Sequence, residues 1–183
     1  MIFFAEITLK PDAEIRENVL LNKVYSKLHK ALSTLGSTDI GVSFPKYRVK
    51  LGDVLRIHGD AERLAELQAM NWLGGLLGYC VVSDVSQIPD DVQYRILSRI
   101  QSTMTEAKLR RLIKRGSISS SEVKQYKAKM FQKSLDQPYL ELESVSNGHK
   151  HRRYINFGEV QDAPVNGEFD HFGLSKKATI PWF

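Results

Sequence analysis

Five histidines (His29, His58, His149, His151, His171), one cysteine (Cys80) and two serines at alternate positions (Ser144, Ser146) are the side chains of this 183-residue chain that stand out as candidates for proton transfer or nucleophilic attack. No pair of histidines has a metal-ligand spacing supported by cysteine or carboxylate, and one cysteine cannot build a structural zinc site. No acidic cluster suggests a two-metal nuclease, so neither metal nor cofactor is expected. His149 and His151 can chelate weakly at most; on a strand the alternation puts both on one face. His29 stands beside the apolar stripe of a long helical pattern, next to Leu28 and one turn from Tyr25 and Leu32. A histidine at such a boundary is most often half-buried and hydrogen-bonded. Its other use is to take or give a proton at neutral pH. RNA carries its own nucleophile, the internal 2′-hydroxyl. A base near it, with groups that hold it in line with the phosphorus, suffices for cleavage without metal. Ser144 and Ser146 point to one face of the strand before Asn147-Gly148, where serines are commonly just solvated.

Charge points the same way as the histidine chemistry. The stretch "KLRRLIKRG" (108–116) has five cations and no acid. On a helix Arg110 faces Lys114 and Arg111 faces Arg115, like-charge pairs that cost roughly 0.2–0.5 kcal/mol each. Glu106 is the one nearby acid. At 100° per residue Leu109, Leu112 and Ile113 share an arc of about 100°, while Lys108, Arg110, Arg111, Lys114 and Arg115 fill about 160° of the other side. Such a helix seats its apolar arc on a core and shows a cationic stripe to a polyanion. Arginine suits phosphate oxygens and guanine edges, and lysine serves as a point charge.

The basicity is regional. Residues 93–133 hold eleven Lys/Arg and two acids, net +9, whereas the rest of the chain holds 15 Lys/Arg and 19 Asp/Glu, net −4. That asymmetry marks a nucleic-acid surface, against the plainer reading of a solvated basic face. It is mute on RNA versus DNA, so a DNA-binding protein stays open at this point. The longest apolar runs are far short of the ~20 residues needed to span a bilayer. The N-terminus lacks a cationic n-region and carries Glu6, which is unlike a signal peptide. With a single cysteine in an apolar run, a reducing cytoplasm is expected and no membrane association.

These residues need elements to position them. "IFFAEITL" (2–9) reads as a strand, and Glu17 to Leu35 as an amphipathic helix closed by Gly36. "DIGVSFP" (39–45) and "KLGDVLRIHG" (50–59) read as strands. Asp60 is placed to cap a short helix carrying Leu64, Leu67 and Met70, and "LGYCVVSDV" (77–85) is strand-like. The order β-α-β-β-α-β is the ferredoxin-like pattern, which hosts many functions. "SQIPDD" (86–91) reads as a linker. A strand over 92–102, the basic helix, and a helix over 118–136 follow, the last with a capping box from Ser119 to Glu122. Asn147-Gly148 between alternating runs predicts a hairpin. The fold class is therefore α+β: a ferredoxin-like domain over 1–88 and a C-terminal α/β nucleic-acid-binding domain over 93–183 that carries the arginine-rich helix, which the family resemblance given next makes an RNA-binding domain.

Taken in order, "SKLHKAL", "GVSFP", "LGDVLRIH", "SRIQS" followed by the basic helix, "SVSNG" and "FGLSKKATIPWF" resemble the CRISPR repeat-processing endoribonuclease of type I-F systems, a family that extends to variant I-F systems. The likeness spans nearly the whole chain, and "GVSFP" with the "GLSK…PWF" ending is its most specific part. It implies metal-independent cleavage at the 3′ base of a repeat hairpin, leaving a 2′,3′-cyclic phosphate or its 3′-phosphate product. It implies a protein that stays on the crRNA 3′ stem-loop beside the other subunits of a type I-F interference complex.

Carried over residue by residue, the resemblance gives His29 the role of general base. Ser144 would hold the 2′-hydroxyl and local backbone, with Ser146 assisting. Arg99 and Gln101 would read base edges at the foot of the stem. Arg111, Lys114 and Arg115 would enter the groove, with Arg110 and Lys108 nearby. Three positions depart from the family pattern. His151 stands where a phenylalanine stacks on the terminal base pair and offers less area. Phe172 stands where a tyrosine precedes "GLS" and removes a hydroxyl near the expected site. Lys114 stands where the pattern has arginine, turning a bidentate contact into a point charge. The alternative function is a hairpin-RNA-binding subunit that anchors a ribonucleoprotein complex without cutting.

Overall fold

The structure is a computed structural model. It describes residues 1–100, 106–132, 137–143, 148 and 150–183. By contact the chain separates into two compact units, Met1–Arg99 with Pro138–Phe183, and Ile100–Gln137. No helix among the described residues is long and apolar enough to cross a membrane.

The larger unit begins β1 (Phe3–Leu9), α1 (Glu17–Leu35), β2 (Gly41–Ser43), β3 (Val54–Gly59), α2 (Ala61–Ala69) and β4 (Cys80–Val82), in the order expected from sequence. The sheet runs β2-β3-β1-β4, with every pairing antiparallel. α1 buries Leu20, Leu21, Val24, Tyr25, Leu28, Ala31 and Leu32, the stripe that three- and four-residue spacing predicts. It ends where expected: Gly36 adopts φ +59°, and its N–H bonds back to the Ser33 carbonyl.

Three local expectations are corrected. The strand expected over 77–85 shrinks to β4 because Gly74–Tyr79 coils into a 3-10 helix. Gly74 at φ +51° starts that turn, a conformation glycine adopts freely. The expected linker contains β5 (Ser86–Gln87), which pairs with Phe3 and Phe4 and covers part of the β1 edge. Asp60 precedes α2 as expected, but its side chain makes no capping bond.

A second sheet in the same unit orders β7 (Tyr139–Glu143), β8 (Lys150–Gln161), β6 (Gln93–Arg99) and β9 (Ile180–Trp182) as β7-β8-β6-β9. β7 and β8 form the expected antiparallel hairpin, from Tyr139 opposite Tyr154 to Glu143 opposite Lys150. Asn147 lies outside the described residues, and Gly148 has φ +66°. α1 packs on β7, where Asn22 Oδ1 accepts the Glu141 N–H at 3.0 Å. The "PWF" ending is structural. Arg56 stacks its guanidinium 3.7 Å from the Phe183 ring centroid, donates to the Phe183 carbonyl and pairs with Glu6 at 2.7 Å.

The smaller unit holds α3 (Glu106–Lys114) and α4 (Ser120–Gln132), which touch each other. α4 starts with the expected capping box: Glu122 Oε2 accepts the Ser119 N–H at 2.8 Å, which holds the Glu122 carboxyl below its usual range. On α3 Leu109 is buried, but Ile113 is 50% exposed. The apolar arc is therefore only partly covered, because α4 is the one other helix that this small unit offers among the described residues.

Candidate active site

Two side chains one turn apart on α1, Tyr25 and His29, reach the same turn near the end of the chain. Tyr25 Oη donates to the Phe172 carbonyl at 2.7 Å. His29 Nδ1 lies 2.9 Å from the His171 carbonyl. A carbonyl only accepts, so Nδ1 carries the proton. In the neutral ring Nε2 is then the bare nitrogen, the form a general base requires. The ring's plane is set as well. His29 stacks on Phe172 with centroids 3.6 Å apart and planes 8° from parallel. Burial pushes the Tyr25 phenol far above its ordinary range, so it stays protonated and serves as a donor.

The turn is built to hold those two carbonyls still. Asp170 Oδ1 accepts the N–H groups of Phe172 (2.9 Å) and Leu174 (3.0 Å), and Gly173 N–H returns to the Asp170 carbonyl at 2.8 Å. Gly173 sits at φ +68°, and a Cβ there would meet Val42 Cγ1 at 2.7 Å. Only glycine fits, because both the conformation and the space exclude a side chain. Its carbonyl accepts the Val42 N–H at 3.0 Å and ties the turn to β2. Ser175 donates to the Glu168 carbonyl at 2.7 Å and closes the next bend. The "GVSFP" and "FGLSK" segments thus meet, and the second presents Phe172 to His29.

The far face of Phe172 carries a charged group. The Arg153 guanidinium carbon lies 3.4 Å from the ring centroid. Two groups this near one ring centre cannot share a face, so the ring separates imidazole from guanidinium. Beside α1 runs a groove of about 620 Å³ lined by Lys23, Lys27 and Lys30 of α1, Glu141 and Glu143 of β7, and Lys150 of β8. Its charged lining holds four lysines and two glutamates, and His29 is not among the residues that line it.

The other sequence-predicted residues fall as follows. Arg99 ends β6, exposed and opposite Ile155 of β8. His151 is exposed on β8 opposite Leu142. Gln101, Ser144 and Ser146 lie outside the described residues, as does His149. In the smaller unit Lys108, Arg110, Arg111, Lys114 and Arg115 are all exposed along or just after α3. Arg110, Arg111, Lys114 and Arg115 form no ion pair among the described residues, and Arg111 Nε turns to the Ala107 carbonyl at 3.3 Å. Sequence reasoning missed Asp170, Arg153 and the lysine row. The row alone had a readable signal, three lysines at four- and three-residue spacing on α1.

An α+β protein with an oriented imidazole and a separate cationic helix is a class with many members. Within it, this chain belongs to one family: the family model described as CRISPR-associated protein (Cas_Csy4) matches residues 4–183. The chain is 37% identical over 184 residues to a CRISPR-associated endonuclease Cas6/Csy4 of Escherichia coli (strain UTI89 / UPEC). It is 36% identical over 187 residues to a protein of the same description from Pseudomonas aeruginosa (strain UCBPP-PA14). Both alignments cover all of this chain and all of the relative. A solved CRISPR endoribonuclease Cse3 bound to 19-nucleotide RNA aligns with 98% of this chain and all of that one, at TM-score 0.42 and 11% identity, a likeness too distant to bear on the site.

Proposed function

We propose that this protein is a metal-independent endoribonuclease that cuts CRISPR precursor RNA at the 3′ base of the repeat hairpin and stays bound to the crRNA stem-loop. The observation that carries the reading is the His29 imidazole, tied through Nδ1 to the His171 carbonyl, in a chain aligned end to end with proteins named CRISPR-associated endonucleases. Nε2 takes the proton of the 2′-hydroxyl. The freed oxygen attacks the adjacent phosphorus, the P–O5′ bond breaks, and the 5′-oxygen leaves with a proton from solvent. The product ends in a 2′,3′-cyclic phosphate, which water can open. Ser144 and Ser146 hold the hydroxyl and backbone, Arg99 and Gln101 read the foot of the stem, and His151 stacks on its last base pair.

In this reading residues 1–88 form the ferredoxin-like platform that carries the base, and residues 93–183 grip the hairpin. The stem lies on the stripe of Lys108, Arg110, Arg111, Lys114 and Arg115, and the bound product is handed to the other subunits of an interference complex. The experiment is a gel assay in EDTA on CRISPR repeat hairpins of type I-F sequence. One cut is expected at the stem's 3′ base, and binding without a cut would instead favour the anchoring subunit. Replacing both Arg111 and Arg115 with alanine is expected to weaken binding and to flatten its dependence on log salt by about 1.8, at roughly 0.9 for each phosphate that is no longer neutralised. An unchanged slope would mean that the stripe does not meet the stem.

A further inference from the structure

Arg153 is the one arginine of β8 that the sheet turns inward. It sits opposite Leu140, on the inner side of the β7–β8 hairpin, and only 5% of it is exposed. A buried guanidinium is ordinarily paired with a carboxylate or saturated with acceptors. Among the described residues this one has no carboxylate paired with it, and its Nε is fully buried and has no hydrogen-bond partner. The Phe172 ring beneath it supplies a cation–π contact and no acceptor. Asp170 is the acid close enough to act on it, yet its Oδ1 is committed to two backbone N–H groups.

A second cation is close by. Arg99, opposite Ile155 two residues further along β8, is near enough for its charge to bear on Arg153, and it too makes no ion pair among the described residues. Two neighbouring guanidiniums that no carboxylate pairs among the described residues, with Asp170 acting on Arg153 only at a distance, make a site suited to an anion. Phe172 joins that site to the imidazole, one face to each.

We propose that Arg153 binds a backbone phosphate of the RNA next to the bond being cut, in the positive field that Arg99 adds while it reads the foot of the stem, so that the substrate supplies the anion this buried guanidinium lacks. The inference deepens the endoribonuclease reading and rests on it for the identity of the phosphate. Phe172 then acts as a spacer that sets the distance between the base and the held phosphate. The missing tyrosine hydroxyl at that position is offset by a cation behind the ring.

Arg153→Leu separates this role from a structural one. Leucine fills the inner face of a hairpin without an unpaired charge, so its melting midpoint is expected to equal or exceed that of the wild type. Its single-turnover cleavage rate is expected to fall at least tenfold, and the salt slope of binding to flatten by about 0.7–0.9, the share of one phosphate. Arg153→Lys, which keeps the charge, is expected to fall between. Wild-type rate and salt slope in the leucine variant would overturn the proposal. If that variant is unfolded, Arg153→Gln and the same two readouts decide. A second probe is inorganic phosphate at constant ionic strength, which is expected to raise the wild-type midpoint more than that of the leucine variant. Should wild-type protein leave every repeat hairpin uncut, the endoribonuclease reading falls, and the phosphate probe alone decides. An Arg153-dependent shift then sustains the anion site, and equal shifts refute it.

Discussion

His29→Ala is expected to bind the repeat hairpin as wild type does and to cut it about 10²–10⁴-fold more slowly, the range that a positioned general base contributes. The imidazole is half-buried and its partners lie in the same unit, so its loss leaves the cationic surfaces untouched. What it removes is a base whose tautomer is set by the His171 carbonyl and whose plane is set by Phe172. Single-turnover cleavage beside equilibrium binding is the measurement. A variant that cuts at the wild-type rate would take His29 out of the mechanism. One that loses binding and cleavage together would make it a structural residue.

The second large effect concerns stability. His58 is fully buried on β3, with Nε2 2.8 Å from Ser43 Oγ and Nδ1 without a partner. Burial, reinforced by the Arg56 charge, pushes its pKa from 6.5 down to about 3. The folded protein therefore keeps this ring neutral, whereas the unfolded chain protonates it below about pH 6.5. Its stability is intact above that value and is lost as pH falls toward 3. The slope is at most ~1.4 kcal/mol per pH unit, about 5 kcal/mol in all, which rivals the whole stability of a small domain. Chemical denaturation across this range is the test, with His58→Gln, whose amide can still meet Ser43. The difference between wild type and variant is expected to shift steadily with pH below 6.5 and to be flat above it. A difference independent of pH would mean that the ring is not held neutral. Neither His58 nor Ser43 is open to substrate, so the pair is a core feature and not a second site.

What was legible in the sequence tracks the range of the forces involved. α1 announced both ends, because apolar spacing and a terminal glycine are local signals. The capping box at Ser119 and the β7–β8 hairpin were local too. Gly74–Tyr79 misled because "LGYCVV" has strand composition, while the two glycines before it favour a tight coil. β5 hid in a polar stretch because it is stabilised by pairing with β1 and not by its own side chains.

The site divides in the same way. His29 and the cations of α3 stood out by type and spacing. Arg153 did not, because on an alternating strand "HRRYIN" looks like a solvated edge until register and packing show which arginine turns inward. Phe172 read as a lost hydroxyl. Its larger part, a ring with an imidazole on one face and a guanidinium on the other, depends on packing between distant segments that no local pattern encodes.

The most direct measurement replaces the 2′-hydroxyl at the cut site with hydrogen in an otherwise unchanged repeat hairpin. If His29 acts by deprotonating that hydroxyl, the deoxy hairpin binds with undiminished affinity and stays whole however long it is incubated, in EDTA or in magnesium. A deoxy hairpin that is cut at the same position would contradict the account, because the strand would then be broken by a nucleophile other than its own.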